Sequence, residues 1–350
     1  MRHIWRWIKR GVLGLVLVLL LLLSPIAYVE TMCRGDAAPD QYASLLPEAY
    51  HRAETRTLMT YPEWHIVHAY EDYAQVIAKG DPHEFGYVSS IKGFWSSLCS
   101  LTTKAPAHGE IDGSTKSMVY TIGVSFTAEL LLKAAYEETI GRLFASLRGD
   151  TRTPLDDLSA HQARAYAAFL QQVPWYKWPF REDVAALNGS ASQALRDTER
   201  KVALGLEYRA KAAYAGVIEQ AVASTGVDQL TLQMIVAGSD KNALAAYDGV
   251  TVVGKSEAGV IIETPRYRAL THLLAEMAVD GFDFVEIAGN DDILFTALSD
   301  KPVQVDAFFN FRRQGFSDYR HLVLLKVSDL AARLRTLYGS PLTLEHIHDY

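Results

Sequence analysis

The sequence predicts an α+β protein that consists of an N-terminal transmembrane anchor, a mainly helical domain and a small α+β domain. Three observations support this prediction. Residues 1–29 contain a long apolar segment, residues 60–225 show apolar side chains at helical spacing, and residues 226–350 alternate β-rich segments with two helical ones. Residues 30–59 are polar and are interpreted as a lead-in linker between the anchor and the helical domain.

The anchor is indicated by residues 11–29, which contain no charged side chain. At about 1.5 Å per helical residue, this length matches the hydrocarbon core of a bilayer. Residues 1–29 carry four basic and no acidic side chains, which leaves the rest of the chain with a formal charge of 30 − 41 = −11. Basic flanks stay in the cytoplasm, so we expect a single-pass bacterial inner-membrane protein with a cytoplasmic N-terminus and a periplasmic bulk. A cleaved signal peptide is less favoured, because Pro25 stands three residues before the best cleavage point.

The helical domain is predicted from apolar periodicity and from start signals such as Thr153-Pro154. Within it, the segment 117–136 is apolar, but Glu129 and Lys133 interrupt it, and we interpret it as a buried helix of a soluble domain rather than a second span. The predicted helices are 60–78, 87–103, 117–147, 153–172 and 191–224, the last one ending at Gly226.

The C-terminal part is predicted from β-branched and aromatic runs separated by polar turns. Asn290-Asp291-Asp292 separates two such runs and predicts a hairpin turn. From residue 250 onward the order of elements resembles a ferredoxin-like α+β sandwich, an arrangement that hosts many functions. The predicted strands are 230–236, 250–253, 260–262, 282–288, 293–298, 321–327 and 342–348, with helices at 265–279 and 329–338.

Composition excludes several classes of protein. Hydrophobic residues make up 49% and charged residues 21% of the chain, which is typical of a globular protein. The net charge of −7 lacks the basic excess of a nucleic-acid-binding protein, so no nucleic-acid partner is expected. Two cysteines exclude a four-thiolate metal site. Cys33 and Cys99 would lie in an oxidising space, where a bridge between them is allowed but not demanded by their spacing.

The segment Gly249 to Ser256 (GVTVVGKS) matches the pattern of a phosphate-binding loop. That chemistry needs a glycine-rich loop and a helix that starts at the lysine. Here three valines and a threonine favour a strand, and a second β-rich run follows. The match is therefore interpreted as a β-hairpin, and we expect no nucleotide cofactor.

The most informative polar pattern lies on the first predicted helix. At 100° per residue, His65, His68 and Asp72 fall within one 60° sector, nearly opposite the apolar residues. Two imidazoles and a carboxylate on one face are able to bind a divalent metal ion or to act as an acid–base pair. The favoured alternative is a solvated helix face, because no fourth ligand is visible. His346 and His348 form a second pair, placed at a frayed C-terminus and interpreted as structural.

Two carboxylates are weak candidates for catalysis. Glu63 follows Thr60 at the spacing of a capping box, which would make it a helix-start residue. Glu129 lies on an apolar stripe and must be paired, neutral or next to a cavity, and Lys133 one turn later is the expected partner.

Two function classes follow from these patterns. The preferred class is an anchored partner-binding or envelope-complex assembly protein. Its interface would be the aromatic loop 173–180, which contains Trp175, Tyr176, Trp178 and Phe180, unless that loop packs back on the helices. The alternative is a metal-dependent or acid–base enzyme that uses His65, His68 and Asp72. The sequence leaves open whether the protein is an enzyme.

Overall fold

The computed structural model describes residues 2–38, 42–225, 230–238, 240–302, 306–337 and 339–349. Gly226 and the predicted domain boundary lie outside the described residues. The helices are α1 (Arg2–Met32), α2 (Glu54–Ile77), α3 (Tyr87–Lys104), α4 (Gly113–Tyr136), α5 (Arg142–Arg148), α6 (Pro154–Leu170), α7 (Phe180–Ser190), α8 (Leu195–Thr225), α9 (Lys241–Leu244), α10 (Tyr267–Val279) and α11 (Val327–Leu337). The strands are β1 (Thr231–Val236), β2 (Thr251–Ser256), β3 (Gly259–Pro265), β4 (Phe284–Ile287), β5 (Asp292–Ser299), β6 (Ala307–Arg312), β7 (Tyr319–Lys326) and β8 (Thr343–His348).

The strands form two antiparallel four-stranded sheets, which confirms the α+β class. The N-terminal sheet has the order β2-β3-β1-β4, and the C-terminal sheet has the order β6-β7-β5-β8. Each sheet therefore has the same arrangement. Three strands are followed by a helix and by a fourth strand, and the fourth strand pairs with the first strand. The helices α10 and α11 pack against each other, and both sheets contribute to one core around them. This internal repeat was not visible in the sequence.

The connection between β4 and β5 corrects the predicted hairpin. β4 pairs with β1, whereas β5 pairs with β7 and β8, so the Asn290 segment carries the chain from one sheet to the other. Ala288 and Gly289 both adopt positive φ angles, 50° and 87°, at this crossing. The ferredoxin-like arrangement is not confirmed, because the strands that were assigned to one sheet are divided between two.

The C-terminal sheet lies between two cores. Leu294 and Leu322 face the helical domain and pack with α2, α3 and α4. Phe295 and Val323, one residue further along the same strands, face the opposite way into the core around α10 and α11. This alternation follows from the two-residue period of a strand. The helices α2, α3 and α4 therefore pack on one face of this sheet.

The first residues of α6 and α2 test two predictions of helix capping that were made from the sequence. α6 begins at Pro154, and Thr153 and Asp156 form its capping box. α2 begins at Glu54, so Thr60 lies inside the helix, where its hydroxyl donates to the Thr57 carbonyl at 2.7 Å. The capping-box interpretation of Glu63 is therefore wrong.

The segment that matched a phosphate-binding loop forms β2, which pairs with β3, and no helix starts at its lysine.

Two helical segments, Trp5–Met32 and Gly113–Arg148, are long and apolar enough to cross a membrane by length and composition alone. The first lies in α1 and supports an N-terminal membrane anchor. The second contains Glu129 and Lys133, which pair with α8, and buries one face against α2 and α3. A π-helical turn, Glu137–Gly141, separates its two halves.

The lead-in segment is docked rather than free. Cys33 forms a disulfide with Cys99, which ties the end of α1 to α3. Further along, the buried carboxylate of Glu286 in β4 accepts hydrogen bonds from the Tyr42 and Ser44 hydroxyls at 2.6 and 2.8 Å. These contacts join the residues that follow α1 to α3 and to β4.

Candidate functional site

The polar face of α2 is buried. His65, His68 and Asp72 are 4, 3 and 5% exposed, because this side of α2 packs against the C-terminal sheet. The predicted common face is correct, whereas the solvated alternative is wrong. α2 is covered on its other side as well, where Tyr73 and Ile77 lie in the core of the helical domain.

A β-bulge in β8 supplies a carboxylate to this face. His346 pairs with Thr296 and Leu344 pairs with Ala297, so Glu345 is an extra residue with no partner in β5. Such a bulge turns a side chain away from strict alternation. Glu345 reaches Arg320 on β7, and the Nε of Arg320 donates to a Glu345 carboxylate oxygen at 2.5 Å.

Arg320 and Arg313 organise the carboxylates. Arg320 is fully buried and also lies 3.6 Å from a carboxylate oxygen of Glu71. Arg313 lies 3.2 Å from the other Glu71 oxygen. Although burial raises the pKa of Glu345, the charge of Arg320 outweighs it and holds that pKa below its usual range. The pair therefore stays ionised inside the protein.

Asp72 and His65 differ from these ionised groups. Burial raises the pKa of Asp72 to about 7, against the opposing effect of Arg320. The backbone N–H of Gln314 donates to the Asp72 carboxylate at 2.8 Å. Burial lowers the pKa of His65 to about 3, so the ring is neutral. Its Nε2 lies 2.9 Å from the Ser90 carbonyl, which makes Nε2 the donor and leaves Nδ1 as an acceptor.

His346 and His348 are part of this interior, not of a frayed end. They are 3 and 1% exposed, and both pair with β5. The His346 ring stacks on Trp64 of α2 with 3.6 Å between ring centres, and His348 meets Tyr61 edge to face. The interpretation as a frayed terminus is therefore wrong.

A cavity of about 480 Å³ lies beside His65, Asp72 and Arg320. It is bounded by α2, by α3 and by the end of β6 with the segment that follows it. Four buried polar atoms without a hydrogen-bond partner belong to residues that line it, namely His65 Nδ1, Asp72 Oδ1, Arg313 Nε and Arg320 Nη1. The lining also contains Ser89, Phe311 and Phe316.

Two groups of side chains in the described part of the chain bring three metal-ligating atoms within 4.8 Å of one another. One consists of His68, Glu71 and Glu345, and the other of Glu54, His108 and Asp292. The predicted set of His65, His68 and Asp72 is not among them. In the second group, His108 lies 3.4 Å from Glu54 and 3.3 Å from Asp292 and forms an ion-paired triad.

The two weak carboxylate candidates lie elsewhere. Glu129 does not pair with Lys133 as expected but with Lys211 of α8, at 2.8 Å, and accepts from the Tyr70 hydroxyl at 2.7 Å. Lys133 in turn contacts Glu207 of α8 at 3.1 Å. Glu63 is half-buried on α2, and burial raises its pKa to about 7.

The aromatic loop packs back on the helices. Phe180 is buried, and Trp175, Tyr176 and Trp178 are half-buried. The Trp178 indole donates to Asp183 at 2.7 Å, and its ring packs against Tyr166 and Phe169. These rings are not part of a fully exposed apolar patch.

Comparison of the chain with protein-family models, with curated proteins and with solved structures found no match.

Sequence reasoning missed Glu71, Arg313, Arg320 and Glu345. Arg320 and Glu345 stand among the β-rich runs, where a charged residue inside an apolar strand signals either exposure or a buried partner. That signal was present in the sequence, but the partner could not be chosen without the order of the strands.

Proposed function

We propose that this chain is a membrane-anchored, periplasm-facing binding protein of the bacterial envelope. In this proposal α1 crosses the inner membrane once with its N-terminus in the cytoplasm. The uncharged segment 11–29, the four basic residues before it and the Cys33–Cys99 disulfide support this placement. Basic flanks remain cytoplasmic, and disulfides persist in oxidising compartments such as the periplasm.

The proposed binding site is the cavity between α2, α3 and the C-terminal sheet. The observation that carries the proposal is a set of buried atoms without a hydrogen bond on residues that line it, Asp72 Oδ1, His65 Nδ1, Arg313 Nε and Arg320 Nη1. Asp72 Oδ1 and Arg313 Nε lie 3.9 Å apart, too far for a hydrogen bond between them. Leaving a buried polar group unpaired costs about 1–3 kcal/mol, so a ligand that supplies the partners is stabilised. The two arginine N–H groups require acceptors, and His65 Nδ1 requires a donor. The expected ligand is a small polar molecule that carries an acidic group and a hydroxyl or N–H group.

An envelope protein partner belongs to the same proposal. The anchor holds the folded domains at the membrane surface, where their encounters are with other envelope proteins. A photo-crosslinking residue at half-exposed Trp175 would capture such a partner if the aromatic loop contributes to the contact, and an exposed site such as Asp157 serves as the control.

The ligand is tested by mass spectrometry of small molecules released from the full chain, purified in detergent. Ser89→Phe would fill the cavity at an exposed lining position, whereas Val88→Phe changes a neighbouring exposed residue that is not part of the lining. We expect one compound in the wild type and in Val88→Phe at near-equal amounts, and its loss from Ser89→Phe. Identical extracts from all three proteins, or no compound in any of them, would contradict the proposal.

A metal-dependent or acid–base enzyme is the second candidate. It is favoured by one observation, the position of His65 and Asp72 at the same cavity as two buried arginines. Sites that combine a cavity with convergent ionisable groups are typical of catalysis. Once a ligand is identified, its chemical conversion by the wild type and not by Asp72→Asn would favour the enzyme, whereas unchanged release of the ligand would favour the binding protein.

A further inference from the structure

His68 is a buried imidazole without a hydrogen-bond partner at either ring nitrogen. Its Nδ1 lies 3.9 Å from a Glu71 oxygen, and its Nε2 lies 3.8 Å from a Glu345 oxygen. Both distances are too long for a hydrogen bond. A buried ring that makes no hydrogen bond is costly. The His68 ring lies between two carboxylates, with one nitrogen nearest to each of them.

The carboxylates of Glu345 and Glu71 are both in contact with arginine side chains. Arg320 binds Glu345 through two N–H groups, and Arg313 contacts Glu71. Hydrogen bonds to the outer side of a ligating carboxylate orient it toward a metal ion, and such partners are common around metal sites. Arg320 contacts both oxygens of Glu345 and one oxygen of Glu71, so a further cation would share these oxygens with Arg320 through their remaining lone pairs.

The cluster also contains more carboxylates than guanidinium groups, which favours the binding of a cation. Four carboxylates contact or border this cluster, and two guanidinium groups face them. The carboxylates are Glu71, Asp72, Asp318 and Glu345, and the guanidinium groups are Arg313 and Arg320. The formal sum is 2 − 4 = −2 with Asp72 ionised and 2 − 3 = −1 with Asp72 neutral, so the cluster is negative in both states.

We infer that His68, Glu71 and Glu345 bind one divalent transition-metal ion of the Zn²⁺ or Mn²⁺ type. One ring nitrogen of His68 and one oxygen from each carboxylate already lie within 4.8 Å of one another. An imidazole with two carboxylates suits these ions, and three protein ligands leave a coordination position open to water. The set differs from the sequence-based one, because Glu71 of α2 and Glu345 of β8 take the places of His65 and Asp72. It does not depend on the cavity ligand proposed above.

The inference is tested with the full chain in detergent, purified without a histidine tag, stripped with chelator and titrated with Zn²⁺ and with Mn²⁺ by calorimetry. We expect one ion per chain for at least one of the two metals. His68→Ala and Glu71→Gln should weaken binding by more than about 100-fold, because each loses a direct ligand. His161→Asn should bind as the wild type does, because His161 is exposed on α6 and does not belong to the cluster.

Glu345→Gln is a further variant, but it leaves Arg320 without its partner and requires a circular-dichroism check of folding. If it does not fold, the comparison of Glu71→Gln with His161→Asn decides whether Glu71 is a ligand. No binding by the wild type, or equal binding by Glu71→Gln and His161→Asn, would overturn the inference. Retained binding in His68→Ala would overturn it as well.

Discussion

At the scale of single residues, the position of the His65 ring depends on a glycine. A Cβ atom at Gly93 of α3 would lie 2.5 Å from the Cε1 of His65, so the close approach of α2 and α3 requires glycine there. The absence of this side chain lets the ring reach the Ser90 carbonyl and border the cavity.

Gly93→Ala is therefore expected to destabilise the protein by about 1–3 kcal/mol, the usual cost of overpacking a filled interior. Gly216→Ala in α8 is the matched control, because a Cβ at that position meets nothing within 4 Å. It should be neutral or stabilising by up to about 1 kcal/mol. Chemical denaturation of both variants measures the difference, and equal effects would contradict the role given to Gly93.

His108 gives the protein a pH-dependent contribution to stability. The carboxylates of Asp292 and Glu54, which lie 3.3 and 3.4 Å from its Nδ1, raise its pKa from an ordinary value of 6.5 to about 10. A group whose pKa is raised by folding stabilises the folded state fully below its unfolded pKa and loses that contribution as the pH rises through its folded pKa.

The free energy of unfolding should therefore fall through this group between pH 6.5 and about 10, with a slope of at most about 1.4 kcal/mol per pH unit. Urea denaturation at several pH values measures the slope for the wild type and for His108→Gln. The variant should show a smaller slope in this window, and parallel slopes would show that His108 does not carry the effect.

From the sequence pattern alone, only the part of the candidate site that lies on α2 could be predicted. The 100° spacing placed His65, His68 and Asp72 on one face because that spacing depends only on the helix. Their burial could not be predicted, because it comes from a sheet more than 200 residues later in the chain. Arg320 and Glu345 come together across β5 through a bulge, and a bulge has no signature in these residues.

At the scale of elements, α8 is joined to the π-helical turn by buried ion pairs. Arg200 is 1% exposed, and its guanidinium binds Glu137 at 2.8 and 3.0 Å as well as Glu199. Because the turn places Glu137 opposite α8, these contacts fix the junction between α4 and α5.

Arg200→Met should destabilise the protein by about 3–5 kcal/mol, because it leaves Glu137 buried and unpaired. Arg142→Met removes an exposed pair with Glu138, one turn apart on the same segment, and should cost at most about 1 kcal/mol. Thermal and urea denaturation compare the two. A similar loss in both variants would argue against a structural role for the buried network.

The disulfide between Cys33 and Cys99 connects elements that are otherwise 66 residues apart in sequence. Breaking it by Cys33→Ser with Cys99→Ser should lower the free energy of unfolding by about 2–4 kcal/mol. Unfolding of the wild type with and without reductant should show the same difference, while the double variant should not respond to reductant. A wild type that does not respond either would contradict this expectation.

The elements with strong local signals were predicted well. α3 was placed within one residue at its C-terminus, and α6 began at its predicted proline. α7 and β6 were missed, since each is short and follows residues that also suit a loop. The long predicted helix 117–147 is divided by the π-helical turn, at which Glu137 forms an ion pair with Arg200 of α8.

At the scale of the whole molecule, the proposed orientation predicts where each end of α1 lies. Alkaline phosphatase, which is active only after export, should be active when fused after residue 38 and inactive when fused after residue 10. Fusion to a fluorescent protein that folds only in the cytoplasm should give the opposite pattern. Activity of the phosphatase at both positions, or at neither, would contradict a single-pass anchor with a cytoplasmic N-terminus.

The repeat in the two sheets has a consequence for the origin of the domain. α10 packs against β8 of the second unit, and α11 packs against β4 of the first, so each unit lends its helix to the other. Arg335 of α11 binds the Ala278 carbonyl of α10 and Asp283 beside β4 across the same boundary. Such an exchange fits descent from a short ancestral chain that paired with an identical copy, followed by duplication and fusion of the gene. Each half, made separately, would bury its apolar helix only by meeting the other half.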